Sequence, residues 1–514
     1  MEDTKEEKIE NGFSYYKSGW KYISIKGNPK ERGYAYGYLC ADDFKDIQKM
    51  LNYLVYESYG YSWEYMVEKI NKDFKKMTED EFPELYEEMQ GITDGCNANG
   101  CKTTLEEIIA WNFYISMSYW FSSVSDSKIG KEGGARDRCS AFIANGDWTE
   151  DGKIVVAHNT FTDFVDGQYS YVVLDVNPDK GFRFIMETSP CMIWSGSDFY
   201  VSAAGIICTE TTIGGFGPYE KKSPVGYRIR KAVQYGKTLD DYVDMLLKDN
   251  SGDYANSWLF GDINTNEIMR IELGLKYSNV ERTKNGFYIG FNATYDPKIR
   301  NIECSNSGFY DIRRHQGARK VRLSDLMDEN KGKLNIELAK AIISDHYDVY
   351  LKKDNNPCSR TVCSHYELDA REYMSQADRP KPYDPHGAVD GVVCDTNIAK
   401  KIGFVGRWGS SCGIAFDKDA FCKEHRQYEN FCPYLKNRPS QPWVEFTVDD
   451  ANTNDVTAKD DDEKNDDEKS DDEKSDTESK IEEDEIKKEN KKGGRRTFKR
   501  LFNNKRKKTI KRKY

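Results

Sequence analysis

Cys139 opens an apolar, strand-prone run (Cys139 to Ala144) directly after a charged, glycine-rich stretch, Gly133 to Arg138. A cysteine so placed has the form of an N-terminal nucleophile still embedded in its precursor. Cutting the Arg138–Cys139 peptide bond would give Cys139 a free α-amine, with an ordinary pKa of roughly 7.7–8.0. One residue would then supply both the attacking thiol and its general base. The competing reading is a buried structural thiol, the common fate of cysteine.

Three neighbouring features add to this chemistry. His158, Asn159 and Thr160 close a second apolar run, Ile154 to Ala157, beyond the turn dipeptides Asn145-Gly146 and Asp151-Gly152. A β-hairpin over these residues would carry His158 back toward Cys139. Asn256 stands where the polar turn from Ser251 enters a strand, with Trp258 two residues on. An amide N–H at a sheet end can serve an oxyanion, although Asn before a strand also commonly just forms the turn. Asn292, Thr294 and Tyr295 follow the strand Gly286 to Phe291, and Arg313 and Arg314 stand downstream. These either orient an anionic group or are plain surface residues.

The elements that must position these residues follow from periodicity. Residues 13–26 read as a strand. Gly33 and Gly37 share one helical face and allow a neighbouring backbone close in. Helical spacing continues through Phe44, Ile47, Leu51 and Leu54, through Trp63, Met66, Ile70 and Phe74, and through Leu85, Met89 and Ile92. Thr104 caps a further helix reaching Ile115. The first 125 residues are therefore expected to be mostly helical. Strands are expected over 169–176, 183–188, 200–208, 257–263, 267–273 and 286–291, with helices over 225–235, 239–247 and 335–345. Further strands fall at 388–393, 402–408 and 444–448. Strands arriving in runs, bracketed by helices, favour an α+β layered fold over a parallel βαβ array. The divisions are 1–138, a helical segment packed on the core; 139–448, the core; and 449–514, a tail.

Composition sets the remaining bounds. With 514 residues, 38% of them hydrophobic, the chain has ample material for a large core. The start lacks the pattern of a signal peptide and no apolar run reaches a membrane span, so the cytosol is the expected location. The thirteen cysteines lack the paired spacings of a zinc ribbon or finger. Cys96/Cys101, Cys358/Cys363 and Cys422/Cys432 are spaced to close small loops under oxidising conditions. Asp-Asp-Glu-Lys recurs from residue 461, and Lys491 to Tyr514 is strongly basic. The acidic part is expected to be disordered. The basic part reads as an arm for nucleic acid, an anionic membrane surface or an import receptor, or as a solvated tail paired with the acidic tract.

The succession of Cys139-Ser140-Ala141, Ala157 to Thr160, Tyr254-x-Asn256-x-Trp258, Arg313-Arg314-x-Gln316-Gly317, Asn356-Pro357-Cys358 with Cys363, and Asp390 resembles the phospholipase B-like (lamina ancestor) family. Glu87 to Gly95 is similar to a helical segment of the related acyl-coenzyme A:6-aminopenicillanic acid acyltransferase family. The resemblance covers about residues 20–447. It implies an N-terminal-nucleophile (Ntn) hydrolase of four-layer αββα architecture, matured by self-cleavage before Cys139. It implies Cys139 as nucleophile, Asn256 as oxyanion donor, and His158, Asn159 and Thr160 lining the site. Trp258 would shape the pocket, and Arg313 or Arg314 would bind substrate. The expected substrate is a small acyl ester or amide, with phospholipid the one the family name suggests, and the chemistry needs no metal or cofactor. Cys358/Cys363 resembles a pair that is disulfide-bonded in secreted members. Two other readings stand beside the enzyme: a catalytically inactive protein of the same fold that binds through its basic arm, and a disulfide-stabilised secreted binding protein.

Overall fold

The computed structural model describes residues 6–124, 139–305, 308–370 and 381–448. Arg138, the loop before it and the charged tail from residue 449 lie outside the described residues. The chain opens on strands β1 (Glu7–Ile9), β2 (Gly12–Lys17) and β3 (Trp20–Gly27). Helices α1 (Pro29–Leu39), α2 (Ala41–Tyr59), α3 (Trp63–Glu81), α4 (Pro83–Ala98), α5 (Leu105–Asn112) and α6 (Met117–Val124) follow. Then come β4 (Cys139–Asn145), β5 (Val155–Asp163), a short α7 (Phe164–Gly167), β6 (Val172–Pro178), β7 (Phe184–Thr188), β8 (Phe199–Ser202) and β9 (Ile206–Thr212). Helices α8 (Val225–Tyr235) and α9 (Leu239–Leu247) precede β10 (Asn256–Asp262), β11 (Glu267–Leu273), β12 (Ser278–Thr283) and β13 (Gly286–Gly290). The chain continues through α10 (His315–Glu329), α11 (Ile336–Ile343), β14 (His386–Ala388), β15 (Asp390–Asp395), α12 (Thr396–Ala399), β16 (Gly403–Trp408), α13 (Lys418–Glu424) and β17 (Val444–Thr447).

These strands build two sheets. One runs β1-β2-β3-β6-β7-β8-β9-β10-β11-β12, and the other runs β13-β4-β5-β15-β16-β17 with β14 also on β5. Among the described residues every pairing is antiparallel except β3 with β6. Strand β4 packs across onto β9, β10 and β11. Helices α1, α8 and α9 cover the outer face of the larger sheet, while α10 and α11 cover β13, β5 and β15. The layers are thus helix, sheet, sheet, helix: the αββα order expected for this α+β chain. Burial on both faces explains why β4 is buried at every position and reads as an unbroken apolar run.

Several local expectations are corrected. The strand expected over 13–26 is the β2–β3 hairpin, turning at Ser18 and Gly19, both at positive φ. The strand expected over 200–208 breaks at Gly205, also at positive φ, into β8 and β9. The first 124 residues are more than a helical lobe. Strand β3 lies parallel to β6, so the N-terminal strands extend the same sheet as those following Cys139 and belong to the same compact unit.

The glycine expectation has a counterpart in the partner helix. A Cβ on Gly33 would sit 2.1 Å from the Glu88 carbonyl oxygen, and one on Gly37 2.0 Å from that of Ile92. Gly91 and Gly95 on α4 meet Lys30 and Tyr34 of α1 as closely, so both helices need the missing side chains. Buried charges lock this contact. Arg32 donates to Glu88 at 2.8 Å and Glu84 at 2.7 Å, and Arg230 of α8 reaches Glu88 at 3.1 Å. Two guanidiniums facing two carboxylates satisfy one another out of water.

Candidate functional site

Cys139 begins β4 opposite Thr160 of β5, and Ala141 opposes His158. Directly opposed residues share a face and alternate positions repeat it, so Cys139, Thr160 and His158 lie on one side of the sheet. Cys139 is wholly buried. Its backbone nitrogen donates to Asn292 Oδ1 at 3.2 Å, and its carbonyl accepts from Arg319 Nη1. Arg319 Nη2 also donates to Asn292 Oδ1 at 2.7 Å, and Nη1 to Ser140 Oγ at 3.1 Å. Asn292, at φ 61°, is fixed in turn by donating from Nδ2 to the Thr212 carbonyl at 2.8 Å. The left-handed backbone turns the end of β13 back toward the head of β4, and asparagine tolerates that conformation better than most residues.

The thiol is in acidic company. The Cys139 sulfur and carboxylate oxygens of Asp198 and Glu210 lie within 4.8 Å of one another. Asp198 accepts from the Tyr254 hydroxyl at 2.8 Å. Nearby, Asp390 accepts from the Thr160 N–H at 2.7 Å, yet burial still pushes its carboxyl up to about 7. Burial first, and then the adjacent Asp390, hold Glu187 well above the usual carboxylate range. Both shifts favour the protonated, neutral form of these buried carboxyls. His158 lies against the Glu210 backbone, and burial lowers its imidazole to about 3. The ring is therefore neutral at ordinary pH.

Asn256 opens β10 opposite Thr212, the residue whose carbonyl anchors Asn292. Its Nδ2 and Oδ1 are both buried and have no hydrogen-bond partner among the described residues. A buried carboxamide left unpaired costs about 1–3 kcal/mol. Trp258 is Glu210's direct cross-strand partner and stacks on Phe260. Thr160 borders a small open cleft walled by Trp111 of α5 and by Tyr114 and Ile115 just after it, by Thr162, Asp166, Ser170 and Ser189, and by Met192 and Gly196. Its walls thus come from both sides of the junction before Cys139.

The remaining expected site residues fall elsewhere. Asn159 points to the opposite face, donating to the Ile343 carbonyl at 2.9 Å and Val362 carbonyl at 3.2 Å while accepting from Ser140 N at 3.2 Å. It braces the sheet. Arg313 is exposed and binds Asp311 through two hydrogen bonds of 2.9 and 2.8 Å. Arg314 precedes α10, its N–H bonded to the Asp311 carbonyl. The arginine beside Cys139 is Arg319, which the sequence reading missed. Its signal is helical period: Arg319 shares a buried face with His315, Leu323 and Leu326. Asp198 and Glu210 were also missed, although a glutamate inside the Thr209-Glu210-Thr211-Thr212 strand stands out against its neighbours.

Cys422 and Cys432 are disulfide-bonded, while Cys358 and Cys363 are free thiols. Among the described residues, no helix is long and apolar enough to cross a membrane.

No family model matches the chain. It is 30% identical over 141 residues to phospholipase B-like 2 of Rattus norvegicus, 34% over 89 residues to that of Mus musculus and 28% over 144 residues to that of Bos taurus. These matches take in 24%, 16% and 24% of this chain, and 24%, 15% and 24% of the relatives. The chain thus spans at most about a quarter of the curated relatives it matches. Among solved structures, a mutant of conjugated bile acid hydrolase from Clostridium perfringens aligns at 10% identity with a TM-score of 0.29, covering 52% of this chain and 89% of that one.

Proposed function

We propose that the chain is a phospholipase B-like hydrolase of the N-terminal-nucleophile type, cleaving an ester or amide acyl bond through Cys139 after self-cleavage before that residue. The observation that carries this reading is the anchoring of both backbone groups of Cys139. Its nitrogen sits on Asn292 Oδ1 and its carbonyl on Arg319, with the thiol close to two buried carboxylates. Any buried strand residue pairs its backbone groups; what favours a reacting thiol is that these partners are polar side chains and that two carboxylates stand beside the sulfur.

In the precursor the Cys139 thiol attacks the Arg138 carbonyl. The acyl group moves from nitrogen to sulfur, which frees the α-amine, and water then hydrolyses the thioester to release the Arg138 carboxylate and restore the thiol. The parallel β3–β6 pairing and the Arg230–Glu88 ion pair keep the N-terminal fragment in place. In the mature enzyme the amine takes the thiol proton and the thiolate attacks the substrate carbonyl. Asn256 Nδ2 donates to the resulting oxyanion, the leaving group departs with the proton, and water releases the acyl group. Trp111, Ile115 and Met192 are the apolar part of the cleft beside Thr160, where the acyl group would lie; a phospholipid is the substrate that the relatives' name suggests.

The N-terminal residue of the large fragment tests the reading. Mass spectrometry should find a fragment starting at Cys139, and Cys139→Ala should run as one intact chain without hydrolase activity. Unchanged splitting in that variant refutes the proposal.

A further inference from the structure

Away from Cys139, His346, Cys363, His365 and Cys412 come together from three separate stretches of chain. One donor atom of each lies within 4.8 Å of the other three. His365 Nε2 is 3.3 Å from Cys363 Sγ and 3.4 Å from Cys412 Sγ. In a tetrahedral zinc site, bond lengths of about 2.3 Å to sulfur and 2.05 Å to nitrogen place neighbouring donors about 3.6 Å apart. We propose that these four side chains form a structural zinc site, independent of the hydrolase chemistry.

The donor chemistry selects the ion. Two thiolates and two imidazoles suit zinc, whereas calcium and magnesium require oxygen donors. Two thiolates also neutralise the ion's charge, which makes the site compatible with burial. His365 Nδ1 is held 2.8 Å from Glu367 Oε1, leaving Nε2 directed at the sulfurs. A carboxylate behind a metal-bound imidazole is the usual way to fix its orientation. The Ile414 N–H donates to Cys412 Sγ at 3.4 Å, and His346 Nε2 is buried with no hydrogen-bond partner. Cys363 and His365 are buried while His346 and Cys412 are half-buried, so an ion has a way in from one side.

The location explains the need. Residues 344–370 contain turns and bends but no helix or named strand, and cannot hold themselves in place by a backbone ladder. They nonetheless brace the candidate site: the Val362 carbonyl accepts from Ser140 Oγ at 3.0 Å and Asn159 Nδ2 at 3.2 Å. Cys363 packs with Phe161 and Ala388, behind β5. A bound ion would fasten this segment to the Cys412 loop and hold β4 and β5 from behind. The competing occupant of the same geometry is a Cys363–Cys412 disulfide, which would leave both histidines idle.

The test uses the full chain purified with zinc present. Elemental analysis should give one zinc per chain, falling to near zero in Cys363→Ser and in His365→Ala but unchanged in His386→Ala. Should the variants fail to fold, the wild-type chain answers. After chelation, cobalt(II) should restore a thiolate-to-cobalt charge-transfer band and the intense visible bands of a tetrahedral site. Both thiols should resist alkylation until a chelator is added. A Cys363–Cys412 disulfide in the mapped protein, or reduced thiols that take up neither metal, overturns the proposal. Cleavage before Cys139 is read separately, so neither proposal shelters the other.

Discussion

The backbone nitrogen of Cys139 is held 3.2 Å from Asn292 Oδ1, and the same oxygen accepts from Arg319. In the proposed mechanism this bond orients the scissile amide before cleavage and the new amine after it. Removing it frees the reacting nitrogen without touching the thiol. Asn292→Ala is therefore expected to slow both self-cleavage and turnover, the latter by about 100-fold, the scale of a misplacement near 1 Å. Pulse-chase gels and steady-state kcat measure the two. A variant that processes and turns over at wild-type rates would show the anchor to be irrelevant.

Asn256 offers a separation of stability from activity. Its carboxamide has no partner among the described residues, so replacing it with leucine breaks none of their hydrogen bonds and relieves a buried polar group. Asn256→Leu should fold with an unchanged or higher Tm, yet lose about 10²–10³-fold in kcat as an oxyanion donor does. A lower Tm with normal kcat would make it a structural residue.

The two asparagines show where sequence reading succeeds and where it stops. Asn256 and the α8, α9 and β11 boundaries were legible because turn residues and apolar period mark them locally. The β4–β5 hairpin was legible for the same reason, although nine residues separate its strands. Helix α10 was not, because Arg313, Arg314, Arg319, Lys320 and Arg322 mask its apolar stripe of Ala318, Leu323, Leu326 and Met327. Arg313 and Arg314 come from the resemblance, and Arg319 escaped notice within the helix. The Asp198–Glu210 approach to Cys139 and the His346–Cys412 grouping depend on contacts between distant segments, which no local pattern encodes.

The Glu187–Asp390 pair predicts a pH dependence of stability. Both carboxyls have folded pKa values above their unfolded ones, Asp390 reaching about 7. Their contribution is complete below the unfolded values near 4 and is lost as pH rises through the folded ones. Glu187→Gln keeps the shape, donates to Asp390 and removes one titration. Relative to wild type the variant should gain stability from pH 5 to 8, by up to about 1.4 kcal/mol per pH unit for one proton. Urea unfolding at several pH values measures this, and parallel curves for the two proteins would refute the raised Glu187 carboxyl.

Gly37 tests the α1–α4 contact. A methyl group there would lie 2.0 Å from the Ile92 carbonyl oxygen, a backbone atom that cannot rotate away. Gly37→Ala should destabilise by about 3 kcal/mol or more. Gly60→Ala, with nothing within 4 Å of the new Cβ but a positive φ of 72°, isolates backbone strain from packing. It should cost about 1 kcal/mol. Equal losses in denaturant unfolding would mean the close approach is unimportant.

His158 and the Cys139 amine make opposite predictions for the rate profile. Burial lowers the imidazole to about 3, so a histidine base would be active down to strongly acidic pH. An α-amine base loses its function below roughly 7.7–8.0, its unperturbed pKa. The kcat/KM profile should therefore rise through the neutral range, and His158→Gln should leave that limb in place. A limb near pH 3 that disappears in His158→Gln would assign the base to the histidine. The same burial has a thermodynamic consequence. With its folded pKa below the unfolded value of 6.5, His158 contributes stability above that pH and withdraws it on acidification. Between pH 6.5 and 4, His158→Gln should therefore unfold with a shallower acid dependence than wild type, by up to one proton.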